Sequence, residues 1–206
     1  MARKSIREMR RRELVEAIRD VIAESGFESA TISKISKRAG FSIGYLHHHF
    51  SGKDALLAES IRVLYGDMRT YLAQAMPGVE DPIDRHLIVL NANFRKEQYT
   101  KENAYAWISF LARVPFNLDF IRLQRMIEHR LYSNLMFNLK ELLPPDEAQA
   151  AAEEISTLID GYWVRLGVSP DSINSEKALE FMWAVSDRFL TGRIRKRLKS
   201  FKPVAG

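Results

Sequence analysis

Residues 31 to 54 read Thr-Ile-Ser-Lys-Ile-Ser-Lys-Arg-Ala-Gly-Phe-Ser-Ile-Gly-Tyr-Leu-His-His-His-Phe-Ser-Gly-Lys-Asp. Thr31 can accept a backbone hydrogen bond as the N-cap of a short helix, in which Ile32, Ile35 and Ala39 fall on one face before Gly40 ends it. Lys34, Lys37 and Arg38 then face outward. Lys34 stands where a capping box would place an acid, a mildly unfavourable position for a cation that a nearby phosphate would relieve. Ser42 is the next N-cap, and the helix after it carries Ile43, Gly44, Tyr45, His47, His48 and His49, with Leu46 and Phe50 as apolar anchors. Two short helices joined by a glycine turn, with hydrogen-bonding groups concentrated on the second, form a helix-turn-helix whose second helix suits the major groove of DNA. Ser51 and Asp54 are spaced as a capping box for a longer helix, which sets Lys53 in its first turn, placed to grip a phosphate. The expected DNA-contacting set is therefore Thr31, Lys34, Ser42, Ile43, Gly44, Tyr45, His47, His48, His49 and Lys53.

Three adjacent histidines invite a metal reading. Successive helical residues point about a third of a turn apart, however, so His47, His48 and His49 cannot close on one ion as an i, i+4 pair could. His48 is the better candidate for a DNA contact. His49, which precedes Phe50, divides evenly between a structural role and a contact.

The composition sets limits. The chain has 206 residues, 46% of them apolar, enough to bury a core without help. It has no cysteine, which excludes a disulfide framework, a thiolate metal site and a thiol nucleophile. No segment approaches the roughly 18 apolar residues that a membrane span needs, and no apolar run follows the charged N-terminal residues, so a cytoplasmic location is expected. The net charge is +5 and unevenly distributed. Arg3, Lys4, Arg7, Arg10, Arg11 and Arg12 precede the motif against one acid, Glu8, and read either as a solubilising leader or, preferably, as an arm that reaches phosphates. Arg188, Arg193, Arg195, Lys196, Arg197, Lys199 and Lys202 read as a solvated tail.

Around the motif the period is helical throughout. Leu14, Ala17, Ile18, Val21 and Ile22 form one face of a helix that ends at Gly26. Leu57, Ile61, Leu64, Met68, Tyr71 and Ala75 form the seam of a long helix stopped by Pro77-Gly78. Further helices open at Asp81-Pro82 and at Thr100, run from about Leu118 to Leu143 and from Asp146 to Gly167, and finish with Ser175 to Lys199, bent or frayed at Gly192. The expectation is an all-α chain of about nine helices: a three-helix reading domain over residues 1–50 and a helical regulatory domain over 51–206. One recognition helix covers too few base pairs for useful specificity, so a dimer is expected, with the last two long helices as the seam and Ile155, Ile159, Met182 and Phe189 as candidate seam residues, some of which would instead face the protomer's own core.

The stretch Ala39, Gly40, Phe41, Ser42, Gly44, Leu46, His47, His49, Phe50, Lys53 and Leu56 resembles the signature of the TetR family of transcriptional regulators. His47 stands where that family usually has a phosphate-contacting tyrosine. The body is similar to the BetI-type, choline-responsive branch through Asn93-Phe94, Ala106-Trp107, Phe110, Arg122-Leu123-Gln124, Leu158-Ile159-Asp160-Gly161, Trp163 and Arg165. The resemblance implies a repressor that binds a palindromic operator as a homodimer, needs no cofactor and is released by a small-molecule inducer, choline or another organic cation. Such a cation is held by aromatic faces with an acid nearby, and Trp107, Phe110, Tyr132 and Trp163 with Asp160 are the candidates. Each of these aromatics can equally be core, and Asp160 can instead serve Arg165. Two other functional classes fit the sequence less well. A helical metal enzyme would need Glu-x-x-His pairs, and no histidine here has Glu three residues before it. An architectural DNA binder or membrane-surface protein would not need so large an aromatic body.

Overall fold

The computed structural model describes the backbone of residues 2–200 and the side chains of residues 8–200. Arg3, Lys4 and Arg7 of the leading basic cluster and Lys202 of the trailing one lie outside the described side chains. The helices are α1 (Ala2–Ser29), α2 (Ile32–Ala39), α3 (Ile43–His49), α4 (Lys53–Ala75), α5 (Pro82–Asn93), α6 (Lys101–Leu111), α7 (Leu118–Leu139), α8 (Pro145–Val168), α9 (Ser175–Phe189) and α10 (Arg193–Arg197). Single 3-10 turns occur at Val114–Phe116 and Pro170–Ser172, and no strand is present among the described residues.

The local signals around the motif act as expected. The Thr31 hydroxyl accepts from the Lys34 amide at 3.2 Å and the Ser42 hydroxyl from the Tyr45 amide at 3.1 Å. Gly40 closes α2 at φ 68°, a left-handed conformation in which a side chain would be strained. Gly26, at φ 75°, interrupts α1 where the apolar face ends, although helical turns resume as far as Ser29. α3 is seated by Leu46, which is 0% exposed, against α1 and α2; burial of such a side chain contributes about 1.5–3 kcal/mol. The whole seam of α4, from Leu57 to Ala75, is buried. A single apolar cluster runs from Leu14, Ile35 and Leu46 in the motif to Trp107, Ile155 and Met182 in the body.

Five expectations are corrected. Ser51 caps nothing: α4 begins at Lys53 after an extended Gly52, with no side-chain cap, and the Asp54 carboxylate is drawn away to Arg113 and Asn117. α7 stops at Leu139, and residues 140–143 are turns. The final helix is broken outright, because Thr191 (φ 52°) and Gly192 (φ 81°) are both left-handed and the Asp187 carboxylate then accepts from the amides of Ile194 and Arg195; this gives ten helices instead of nine. The basic cluster that follows Arg188 is no solvated tail as far as Arg197: Ile194 is buried, Arg188 pairs with Glu154, and Arg197 pairs with Asp84 on α5. Of the candidate seam residues, Ile155, Ile159 and Met182 belong to the protomer's own core, each at most 2% exposed, and Phe189 is half-buried.

Candidate DNA-reading face and ligand cavity

The outward face of α3 is exposed along its length. Ile43 and Tyr45 are 46% and 45% exposed, and Gly44, His47, His48 and His49 are exposed with them, so none of the histidines faces the core. The aromatic rings form a file. Tyr45 stacks on Phe41 with centroids 5.0 Å apart and meets His49 at 4.4 Å, His49 meets His48 at 4.9 Å, and the Arg10 guanidinium lies 5.4 Å over Phe41. Packing of the Tyr45 ring against two neighbours fixes the direction of its hydroxyl. Thr31 and Ser42 use one lone pair each as caps, and their hydroxyl protons stay free to donate. Lys34 is exposed, and its ammonium donates to the Ser29 carbonyl at 2.9 Å.

Lys53 is engaged within the chain. Its ammonium donates to the carbonyls of Phe27 and Glu28 at 3.3 and 3.2 Å, lies 3.3 Å from the Glu28 carboxylate and sits 4.6 Å over the Phe27 ring. The Arg113 guanidinium lies over the same ring, 4.1 Å from its centroid. Arg113 also bonds Glu28 at 2.8 Å and Asp54 at 3.2 Å. Arg113 first and Lys53 second hold the Glu28 carboxyl below the usual carboxylate range. Phe27, Glu28, Lys53, Asp54 and Arg113 therefore form a latch that ties the end of α6 to α1 and the start of α4. Neither Phe27 nor Arg113 was singled out by the sequence, and no local signal could find them, because Arg113 lies 59 positions from its partner Asp54. The leading basic cluster is similarly engaged: Arg11 pairs with Glu59 at 2.5 Å and Arg12 with Asp67 at 2.7 Å, both acids on α4, which leaves Arg10 beside the reading face.

In the body, the five candidate ligand residues do not form one cage. Trp107 stacks on Phe110 at 5.4 Å, Phe110 lies against Phe120 at 4.9 Å, and both Trp107 and Phe110 are almost wholly buried. Trp163 packs on Tyr99 at 5.2 Å and donates its indole N–H to the Asn93 carbonyl at 3.2 Å. Tyr132 is half-buried and joins neither group of rings. Asp160 makes no ion pair among the described residues, and Arg165 is exposed. Burial, with Glu128 adding to it, raises the Asp160 carboxyl to about 6. Tyr65, absent from the sequence reading, links these parts: its ring lies 5.7 Å from Trp107, and burial, Asp160 and Glu128 together push its hydroxyl far above the usual phenol range. Two polar atoms near this cluster are buried without a hydrogen-bond partner, the Trp107 indole N–H and the Gln124 carbonyl oxygen. The Gln124 amide donates to Glu128 at 2.9 Å.

Tyr65 also lines a cavity of about 490 Å³ between α4, α5 and α7, which is in the size range of small-molecule sites. None of the five candidates lines it. α8 crosses α6 closely enough that a Cβ on Gly167 would lie 2.4 Å from the Ile108 Cδ1 and 3.1 Å from the Ala104 carbonyl oxygen. Among the described residues no cluster of His, Asp and Glu is placed to hold a metal, and no helix is long and apolar enough to cross a membrane.

An all-helical body behind an exposed, capped recognition helix defines a helix-turn-helix DNA-binding regulator. Residues 14–60 match the family of bacterial regulatory proteins named tetR, and residues 82–191 match the C-terminal domain of BetI-type transcriptional repressors. The HTH-type transcriptional regulator BetI 1 of Chromohalobacter salexigens is 34% identical over 184 residues, spanning 89% of this chain and 91% of that protein. A transcriptional regulator from Pseudomonas aeruginosa PAO1 is 27% identical and superposes with a TM-score of 0.74 over 92% of this chain and 94% of its own. A regulator from Saccharomonospora viridis, solved in complex with choline, shares the fold with a TM-score of 0.73 at 17% identity, over 89% and 96% of the two chains. The chain belongs to the TetR family of transcriptional regulators, with a C-terminal region of the BetI type. These relatives are regulators of transcription, not enzymes.

Proposed function

We propose that the protein is a repressor acting in the cytoplasm that binds a palindromic operator as a homodimer and leaves it when an organic cation of the choline type enters the body. Residues 1–50 read DNA, and residues 51–206 bind the ligand and the second copy. The observation that carries the reading is the outward face of α3, where Ile43, Tyr45 and His48 stand exposed above a fully buried Leu46. In a dimer two such helices about 34 Å apart would enter successive major grooves. The face available for pairing is apolar: Val164, Val168 and Phe181 are 37%, 70% and 53% exposed on α8 and α9, and Tyr162 stacks on Phe181.

Support for a cation comes from the aromatic and acidic groups that converge on Tyr65. Trp107 offers a ring face, and the partly buried Asp160 and the exposed Glu128 supply negative potential. A cation there lowers the Asp160 carboxyl toward its ordinary range and relieves the penalty of its ionisation. Trp107 lies on α6, which ends at the latch, so an occupant that shifts α6 pulls Arg113 against Phe27 and Glu28 and re-angles the reading helix. A coupling of 1–3 kcal/mol, typical of such systems, changes operator affinity about 5–150-fold.

Selection of bound duplexes from a random library tests the DNA half: an enriched palindrome with half-sites about one helical turn apart is expected, and a pool without enrichment sinks it. Thermal shift with choline and betaine aldehyde tests the inducer half. The choline shift should be larger at pH 7, where Asp160 is ionised, than at pH 5, and should vanish in Asp160→Asn. Equal shifts at both pH values would remove Asp160 from the site.

A further inference from the structure

The cavity between α4 and α7 has a chemistry of its own. Its walls are Met68, Leu72, Met76, Met126, Ile127 and Leu131, with Arg69, Arg130 and Asn134 as its charged and amide-bearing members on the exposed side. Past Ala73 and Met76 it continues into a second hollow along the same two helices, lined in part by Pro77 and Phe137. No acidic residue lines either part. Arg69 and Arg130 are exposed, and neither makes an ion pair or side-chain hydrogen bond among the described residues. Acids near them in sequence turn elsewhere: Asp67 holds Arg12 at 2.7 Å, and Glu128 accepts from the Gln124 amide at 2.9 Å without pairing with Arg130. Arg85, at the far end, is occupied by Glu141, Asn138 and two backbone carbonyls, so the free positive charge sits at one end only.

We infer that this groove is a binding site for an amphipathic carboxylate, with its head on Arg69 and Arg130 and its alkyl chain along the methionine-lined wall. A guanidinium matches a carboxylate in bidentate geometry, and flexible methionines fill around a chain of variable shape. Methyl groups of a quaternary ammonium placed at that head position would instead meet two cations, and no acid lines the groove. At roughly 30 Å³ per water-sized group, a cavity of about 490 Å³ holds the bulk of a medium-length chain acid. The groove shares Tyr65 with the Asp160 cluster but takes its charge from Arg69 and Arg130, and the inference does not use the cation reading. One wall of the groove is α4, which leads directly out of the reading motif, so an occupant bears on the same helix that positions α3.

Isothermal titration of the full-length protein with decanoate, 1-decanol and decyltrimethylammonium, all below self-association, tests the assignment, with acetate as the head-only control. Decanoate should bind at least tenfold more tightly than decanol, with acetate undetectable. Arg69→Gln/Arg130→Gln, at exposed positions, should remove that preference and leave decanol unchanged. Ala73→Trp, which projects from α4 into the groove, should weaken every chain-bearing probe. Equal binding of decanoate and decanol, binding of decyltrimethylammonium as tight as decanoate, or an unaffected double variant would each overturn it. The choline thermal shift should be the same in the double variant. A protein of unaltered sequence that shows the choline shift but does not bind decanoate removes the anion site alone, and one that binds decanoate without a choline shift removes only the cation reading.

Discussion

The reading motif and the body are both rich in aromatic residues, yet they place them in opposite environments. Phe41, Tyr45, His48 and His49 form a file along the outside of α3, with Tyr45 nearly half exposed, whereas Trp107, Phe110, Phe120 and Trp163 are each at most 5% exposed. In the motif the rings that meet are neighbours in the chain or four residues apart, so local spacing alone brings them together. In the body only Trp107 and Phe110 share a helix; Phe120, Tyr65, Tyr99 and Trp163 come from separate elements, and their meeting depends on how those elements cross. A local grammar therefore suffices for the first region and fails for the second.

The widest separation between the regions should come from truncating one ring in each. Trp107→Ala opens a cavity in the core and should cost about 3–5 kcal/mol of unfolding free energy, read by denaturant titration. Tyr45→Ala should leave stability within about 0.5 kcal/mol. A Tyr45→Ala protein that unfolds like the tryptophan variant would erase the distinction. Next in size, Gly167→Ala forces a methyl against the Ile108 side chain and the α6 backbone, and overpacking of this kind costs about 1–3 kcal/mol; an unchanged melting curve would mean that α6 and α8 can part without loss. On the operator, Tyr45→Ala should lose about 1–3 kcal/mol of discrimination at one base position while non-specific binding persists, measured by competition with single-base variants. The smallest effect is expected from Ser42→Ala, which removes the cap of α3 and should cost about 1 kcal/mol, seen as a lower melting temperature with the same operator preference.

Acid adds a pH dimension to the body. In the folded chain the Asp160 carboxyl stands at about 6, above its unfolded value, so the unfolded state ionises first as pH rises. Stability should therefore fall between about pH 4 and 6 on this group's account and level off above, and Asp160→Asn should flatten that slope in chemical denaturation.

Physical range explains what the sequence could and could not disclose. Thr31, Gly40 and Ser42 were legible because a cap or a left-handed glycine acts on amides within four residues. The failed cap at Ser51 had the right spacing, but Asp54 found Arg113 and Asn117 instead, partners from the far end of α6 and the turn after it. Gly192 was legible as a weak point in a helix. That it becomes a full break depends on Asp187 capturing two amides beyond it, and on Asp84 receiving Arg197 from 113 positions away. Asp160 and Trp107 are candidates because the BetI resemblance implies a cation and these residue types suit one, whereas Tyr65, which lies near both, looks in the sequence like one more apolar residue of α4. Arg69 and Arg130 are ordinary surface cations until folding sets them on one apolar groove.

The placement of Lys53 over Phe27 has a consequence for electrolyte dependence. A lysine that meets a phosphate from free solution releases a condensed small ion and adds nearly one to the slope of affinity against salt. Lys53 arrives already neutralised by Glu28, its own built-in counter-ion, so transferring it to a duplex expels a carboxylate instead of a mobile cation's equivalent. Its share of the salt slope should fall short of a full charge, and Glu28→Gln, by freeing the ammonium beforehand, should steepen the dependence.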